Sequence, residues 1–507
     1  MVMVITLFSK ALGFVREVCL SYVYGASAIT DAYIVAQTIP AMILGLIGAG
    51  IGTSYIPLYS KIVREEGASR ANIFTSNICN FLLILASVIV ASVIALAQPI
   101  VQALASGFRG DTLKIAVQFT RVSVFGIYFT VLIHIFSSFL QIHGNHIVPA
   151  GLGLPANLII VGSIFLSWRT NVYVLVLGSL VAVASQMLIV AYSSEKYGYR
   201  HHVTVDWSDP YTKSMAVMSA PVVLGQSVNH INVLIDRTLA SNIAVGGISA
   251  LNYANRLVLF IQGLFVVSIA TVMYPMVSRM AAENDFCGLK TRLAEAISFV
   301  NLLIVPITVG AMIFSKEWVT ILFGRGAFTP AAVDITSSAL FYYSIGMIGF
   351  AQRDILSRAF YALQDTKTPV VNATFAVAIN ILLNIVLSRY MGIGGLALAT
   401  SIAGLVSTFS LTVALRRKIG PYGLKEVCRS FLKIVIASAL MGITSYASFG
   451  LLTLRVGRNM ALVLAVIIGV TVYGSLIVSA GIPEVDRTLR MLKRKLRAVL
   501  RSQKEQV

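Results

Sequence analysis

Ser9-Lys10-x-x-Gly13-x-x-Arg16-Glu17 sets two cations, an anion and a hydroxyl within an apolar run. On a helix, Ser9, Gly13 and Arg16 share one face at i, i+4 and i+7, while Lys10 and Glu17, seven apart, line the adjoining face. Gly13 leaves space beside the polar side chains. A charge at the centre of a bilayer-spanning helix costs on the order of 2.5–3.5 kcal/mol, so such a cluster needs a wet cavity or a partner. Arg16 lies nine residues before the turn at Gly25, and Arg256 lies nine residues after Gly247, where another apolar run begins. At 1.5 Å per residue both sit roughly 14 Å in, at matching depth. Two guanidiniums facing one cavity repel unless an anion lies between them, and their forks match phosphate oxygens two bonds at a time. The expected chemistry is binding of a phosphorylated or otherwise anionic substrate by Arg16 and Arg256, helped by Lys10 and Ser9. Asp31, near the outer end of the next span, reads as a gating partner or a plain cap. It and Glu17 are also the candidates for coupling a cation. The competing reading pairs Arg16 with Glu17 or Asp31, and Arg256 with Asp236, as static bridges. Neighbours on one helix point different ways, which weakens the Arg16–Glu17 pair.

The elements that must hold these residues are membrane helices. Hydrophobic residues make up 57% of the chain and charged residues 12%, against about 25% charged in a soluble domain. Fourteen windows approach the roughly 20 apolar residues that span a bilayer, which predicts an all-α membrane protein of fourteen transmembrane helices. The net charge of +19 follows topology rather than nucleic acid. With the N-terminus inside and the spans alternating, inside segments hold 24 Lys and Arg and outside segments eight. This obeys the positive-inside rule, places both termini in the cytoplasm and directs the basic surplus at anionic membrane lipid. Ile51-x-Thr53-x-x-x-Pro57-x-x-Ser60-Lys61 recurs at offset 218 as Ile269-x-Thr271-x-x-x-Pro275-x-x-Ser278-Arg279. Tyr33, Gly126 and Pro149 find Tyr253, Gly346 and Pro369 at offset 220. A duplicated half of this kind is how many transporters are built. It predicts an N-lobe over 1–193, a cytoplasmic bridge over 194–213 and a C-lobe over 214–417, related by a pseudo-two-fold axis along the membrane normal. Two helices over 427–481 fall outside the repeat. Residues 484–507 read as a basic amphipathic helix on the inner leaflet.

Other signals are weak or missing. Gly48-x-x-x-Gly52 reads equally as close helix packing or as a bend in the second span. Four cysteines lack CxxC spacing, and His201-His202 lacks further ligands, so no metal is expected. A Walker A loop, a GxSxG elbow, HExxH and a complete GxGxxG are all absent, so no nucleotide engine and no cofactor are expected. Membrane potential or a counter-ion remains as the energy source. A transporter is favoured over a membrane-embedded transferase, which needs catalytic carboxylates or histidines at a membrane face. A drug exporter would favour buried carboxylates over arginines.

SKALGFVRE (9–17), TDAYIVAQTIP (30–40), ISALNYANRL (248–257), LFGRGAF (322–328) and above all AFYALQDTKTP (359–369) resemble the MurJ/MviN family, the lipid II flippases of bacterial cell-wall synthesis. The resemblance covers nearly the whole chain. It implies the fold of the multidrug/oligosaccharidyl-lipid/polysaccharide exporter superfamily, with the helices over 427–481 forming a groove for a lipid tail. It also implies alternating access and a place in the bacterial cytoplasmic membrane, with lipid II or a related polyprenyl-diphosphate glycolipid as substrate and the cell-wall synthesis machinery nearby. Export of another polyprenyl-linked polysaccharide stays as the alternative. The family's basic residues in the first helix fall on Lys10 and Arg16, its acidic neighbour on Glu17, its second-helix aspartate on Asp31 and its eighth-helix arginine on Arg256. Ser9 matches a polar position of the same cavity. The chain departs from the pattern after Pro40, where many members carry an arginine pair and then a glutamate. Here Ala41 and Met42 follow the proline, and Ala49 stands in the glutamate's place.

Overall fold

The computed structural model describes residues 2–482 and 485, and those residues form helices and connecting turns, with no strand among them. In chain order the helices are α1 (Val2–Tyr24), α2 (Ala28–Ala95), α3 (Ala97–Leu104), α4 (Gly110–Ser123), α5 (Gly126–Ile142), α6 (Ile147–Gly151), α7 (Gly153–Arg169) and α8 (Tyr173–Lys196). There follow α9 (Pro210–Ile243), α10 (Gly247–Ala282), α11 (Phe286–Ile313), α12 (Ser315–Leu322), α13 (Pro330–Ala362), α14 (Lys367–Ile419), α15 (Leu424–Thr453) and α16 (Arg458–Ser479). Among the described residues nine helical stretches are long and apolar enough to cross a membrane, ten if α4 and α5, bent by 41°, make one crossing. Helices dominate because no water satisfies backbone N–H and C=O groups inside a bilayer, and a helix bonds them all internally. α2 and α14 are each two helical segments joined at a glycine, Gly67 at φ 87° and Gly392 at φ 58°. Both angles lie where a side chain is strained. The predicted amphipathic tail over 484–507 lies outside the described residues, Val485 excepted.

The chain divides into two compact units. One comprises Met1–Arg256, Leu322–Thr336 and Ile381–Leu396. It gathers the helices of the predicted N-lobe together with the bridge, α9 and the first turns of α10. In it α1 packs on α7, and α2 packs on α4, α5 and α9. Small residues let α2 come close. A methyl on Gly48 would lie 2.6–3.0 Å from the His134 ring, and one on Gly50 would lie 3.0 Å from Ser219 Cβ. Gly52 has no such neighbour within 4 Å, so close packing accounts for Gly48 and leaves Gly52 unexplained. The other unit comprises Leu257–Ile321, Ser337–Asn380 and Ala397–Val507. Its core sets α11 against α15 and α15 against α16, around buried Val305, Ile434, Ala437 and Ile477. Tyr473 satisfies its hydroxyl by donating to the Leu302 carbonyl at 2.7 Å.

Three turns of the first unit interlock beyond the end of α1. Gly25 ends α1 at φ 63°, and a methyl there would come within 2.4 Å of the Ala327 carbonyl oxygen. Ala327 N donates to the Tyr22 carbonyl at 2.8 Å. Gly246, at φ 79°, lies so close to Ala26 that a methyl would come within 2.3 Å of its carbonyl oxygen. Both glycines are therefore required twice over, by backbone angle and by contact. Gly246→Ala is expected to cost about 2–4 kcal/mol, since the clash is with backbone that cannot rotate away. A thermal unfolding midpoint unchanged in detergent would show that the turn relaxes freely.

The bridge is not slack. Asn72 donates to the Gly198 carbonyl at 3.0 Å, and Asn80 donates to His202 O at 3.1 Å and Thr204 O at 2.8 Å. Asn77 and the Asp206 backbone exchange two bonds, of 2.9 and 2.7 Å, and Arg70 pairs with Asp209. His201 meets the Tyr199 hydroxyl at 2.9 Å, and no metal-holding cluster is found among the described residues.

The turn between α13 and α14 has its own charge cluster. Asp365 accepts from Lys418 Nζ at 2.6 Å, from Thr368 N at 3.0 Å and from Thr368 Oγ1 at 2.9 Å. The Lys418 hydrogen bond, followed by the Thr368 backbone N–H, holds the carboxyl down at about 2. A carboxylate held below its unfolded value, about 4, contributes stability that is full above that value and lost as pH falls through the folded one. Asp365→Asn, which keeps a capping oxygen, should lower the melting midpoint at pH 7. The gap from the parent should narrow as pH falls from 4 toward 2. A gap independent of pH would assign the effect to capping alone.

Candidate functional site

A cavity of about 540 Å³ opens inside the first unit, lined by α1, α2, α7, α8, α9 and α10. α1 brings Arg16, Glu17 and Leu20 to it, and α10 brings Asn252 and Arg256. Arg16 Nη2 donates to Glu17 Oε1 at 2.8 Å, and its Nη1 donates to Asn157 Oδ1 at 3.1 Å. Arg256 Nε stands 3.7 Å from the same Glu17 oxygen. One carboxylate, 7% exposed, therefore lies between two guanidiniums that are 27% and 48% exposed. The expectation that adjacent residues pair poorly fails here. The long arginine side chain wraps around the helix to reach its neighbour, and Asn157 across on α7 fixes the turned fork.

The cavity holds residues that the sequence did not assign to the site. Arg237 lines it from α9 and donates to the Ile34 carbonyl at 2.9 Å. The described lining thus carries three guanidiniums against the Glu17 carboxylate, a formal excess of two positive charges. Gln37, Asn157, Gln186 and His230 add neutral polar groups, and Tyr33 is fixed by a 2.6 Å hydrogen bond with Ser179. Of the 39 Lys and Arg, the 24 inside and eight outside leave seven within or at the edges of the predicted spans, and Arg237 is one of them. Nothing in its spacing aimed it at this cavity. Asp236, the partner weighed for Arg256, instead accepts from Asn384 at 2.6 Å.

Two helpers named from sequence are placed differently from the arginines. Lys10 is exposed and does not line the cavity. It lies two turns back along α1, about 9 Å from the level of Arg16. Ser9 is half-buried, and its carbonyl accepts from Asn157 Nδ2 at 3.4 Å, so it touches the cavity wall through backbone. Asp31 lies outside the cavity. It is 1% exposed and accepts from Gly246 N at 2.8 Å and Ser249 N at 2.7 Å. It thereby caps the start of α10, where the free N–H groups and the helix dipole favour an anion. These two bonds and the interlocked glycine turns lie together beyond Leu20, at the Gly25 end of α1.

Comparison with known proteins places this architecture. The family model described as "Lipid II flippase MurJ" matches residues 20–468. A probable lipid II flippase MurJ of Buchnera aphidicola subsp. Baizongia pistaciae is 29% identical over 431 residues, which is 80% of each chain. A solved structure of "Lipid II flippase MurJ, inward closed conformation" superposes with a TM-score of 0.82 at 26% identity, over 94% of this chain and 97% of that one. An inward-facing multidrug resistance MATE family transporter of the MOP superfamily superposes with a TM-score of 0.67 at 15% identity, over 81% of this chain and 94% of that one, a likeness of fold alone. This chain is a helical, multi-pass membrane protein that belongs to the MurJ lipid II flippase family.

Proposed function

We propose that the chain carries lipid II from the inner to the outer leaflet by alternating access, for peptidoglycan synthesis. The observation that carries the substrate assignment is the convergence of Arg16 and Arg256 on one carboxylate in a single cavity. Glu17 holds the place of the diphosphate. An arriving diphosphate, with two negative charges, matches the cavity's excess and takes over the guanidinium forks. Arg256 gives up least, because its contact with Glu17 is the longer one. Arg237 adds a third cation, while Asn157, Gln37 and Gln186 offer hydrogen bonds to sugar hydroxyls. A cavity dominated by guanidiniums disfavours cationic drugs.

In this reading there are fourteen crossings. α2 and α14 supply two each, broken at Gly67 and Gly392, and α4 with α5 supplies one. The charged α1 and the polar α9 cross despite their composition. Lobes over 1–193 and 214–417 rock about the cavity, and the helices over 427–481 guide the polyprenyl tail. Both termini are cytoplasmic, so anionic lipid meets the basic inner loops. The cell-wall synthesis machinery supplies and consumes the cargo. Moving an anion out of a negative-inside cell is favoured by about 2.3 kcal/mol per charge per 100 mV, so the potential drives the step without a cofactor. Asp31 gates the outer end, with Glu17 or Asp31 as the group that couples a counter-ion. Ser9 and Lys10 act at the cavity's inner approach rather than on the diphosphate.

The test is flipping of lipid II, beside an unrelated glycolipid, in liposomes that contain the purified chain. Selective movement of lipid II supports the reading. Equal movement of both lipids, or none of either, overturns it.

A further inference from the structure

The segments of α14 before and after Gly392 meet in the second unit. Asn372 Nδ2 donates to Ser407 O at 3.0 Å and to Ser407 Oγ at 2.8 Å. Beside this contact is a cavity of about 380 Å³ lined by Lys367, Val371, Asn372, Phe375 and Ser410 among others. Asn372 is only 7% exposed, and its Oδ1 is buried without a donor. The amide cannot flip to cure this, because Nδ2 is committed to the Ser407 carbonyl. A buried acceptor left unmet costs about 1–3 kcal/mol, so the site calls for a ligand that brings a donor.

The surroundings define that ligand. Val371 and Phe375 are 58% and 55% exposed, an apolar surface at the end of a membrane helix. Lys367 is exposed at the first position of α14, and Arg416 and Arg417 are exposed in its last turn. The nearby acidic Asp365 is already held by Lys418. We propose that this cavity binds a glycerophospholipid whose anionic headgroup carries free hydroxyls, of the phosphatidylglycerol type. The phosphate lies on the Lys367 ammonium and the Ser410 hydroxyl, a headgroup hydroxyl donates to Asn372 Oδ1, and an acyl chain runs along Val371 and Phe375. An ethanolamine headgroup also brings a donor, but its ammonium would stand beside Lys367. A bare phosphate headgroup offers acceptors where Asn372 needs a donor. The inference rests on the membrane reading and not on the identity of the transported lipid.

Native mass spectrometry of the full chain in detergent tests it, with phosphatidylglycerol, phosphatidylethanolamine and phosphatidic acid supplied at equal concentration. The parent should retain phosphatidylglycerol at least about fivefold more than either rival, a preference worth about 1 kcal/mol. Asn372→Leu should bring phosphatidylglycerol down to the level of phosphatidic acid. Lys367→Gln should weaken both, and Val371→Trp should fill the cavity and abolish the preference. The last two positions are exposed, so their variants fold even if Asn372→Leu does not. Equal retention of the three lipids by the parent overturns the proposal, as does unchanged retention of phosphatidylglycerol in Lys367→Gln or an unchanged preference in Val371→Trp. Displacement by lipid II also overturns it, by assigning the cavity to the cargo. Lipid II flipping by the parent is measured separately, so either idea can fail alone.

Discussion

Arg16→Ala and Arg256→Ala should each slow lipid II flipping by about 10- to 100-fold. Hydrogen bonds to charged groups contribute about 1.5–3 kcal/mol each, and every 1.4 kcal/mol is a factor of ten. Arg16→Ala should also cost more stability than Arg256→Ala, since Arg16 holds both Glu17 at 2.8 Å and Asn157 at 3.1 Å. Loss of either arginine also leaves Glu17 short of a partner, so a simple defect is ambiguous. The double variant Arg16→Ala with Glu17→Gln removes the stranded charge. It should recover the parent's melting midpoint while flipping stays slow. If it flips lipid II at the parent's rate, the guanidinium serves only to neutralise Glu17 and the cargo binds elsewhere. Arg16→Lys should fall between, because an ammonium keeps the charge but loses the two-pronged geometry.

Asp31→Ala should open the outer end of the first unit. The carboxylate is the acceptor for Gly246 N and Ser249 N, both buried. Two buried donors left unmet cost about 2–5 kcal/mol in total, enough to shift a closed-to-open equilibrium by 30-fold or more. A cysteine at Leu20, which lines the cavity just inside this closure, reports the change. It is placed in a chain whose free Cys19, Cys79, Cys287 and Cys428 have been replaced. Labelling by an impermeant thiol reagent from outside the cell should rise sharply in Asp31→Ala and by less in Asp31→Asn, which keeps one oxygen. Unchanged labelling in both would reduce Asp31 to a plain helix cap.

Most of the helical architecture was legible because a bilayer leaves few options. Apolar runs long enough to span it must be helical, and the described residues hold nine such helical stretches, ten with the bent α4–α5 pair, against the fourteen expected. The shared depth of Arg16 and Arg256 was legible too, since rise per residue converts sequence spacing to height. Direction around the helix was less so. Lys10 and Glu17 share a face by periodicity, yet seven residues separate them by about 10 Å along the axis and the cavity reaches only one. Side-chain length decided the Arg16–Glu17 pair, which backbone geometry had argued against. Asn157, Gln37 and Gln186 were invisible because a lone amide in an apolar helix reads as an ordinary interhelical bond. Arg237 was noticed as a buried cation, but only the fold turns it toward the cavity.

The asparagine ladder along α2 bears on how the chain tolerates engineering. The stretch from Gly198 to Asp209 has the polar composition usually chosen for splicing in a fluorescent reporter. Its carbonyls at Gly198, His202, Thr204 and Asp206 are nevertheless gripped by Asn72, Asn77 and Asn80. A reporter spliced there would tear a zipper rather than lengthen a tether, and the damage would spread into the second half of α2.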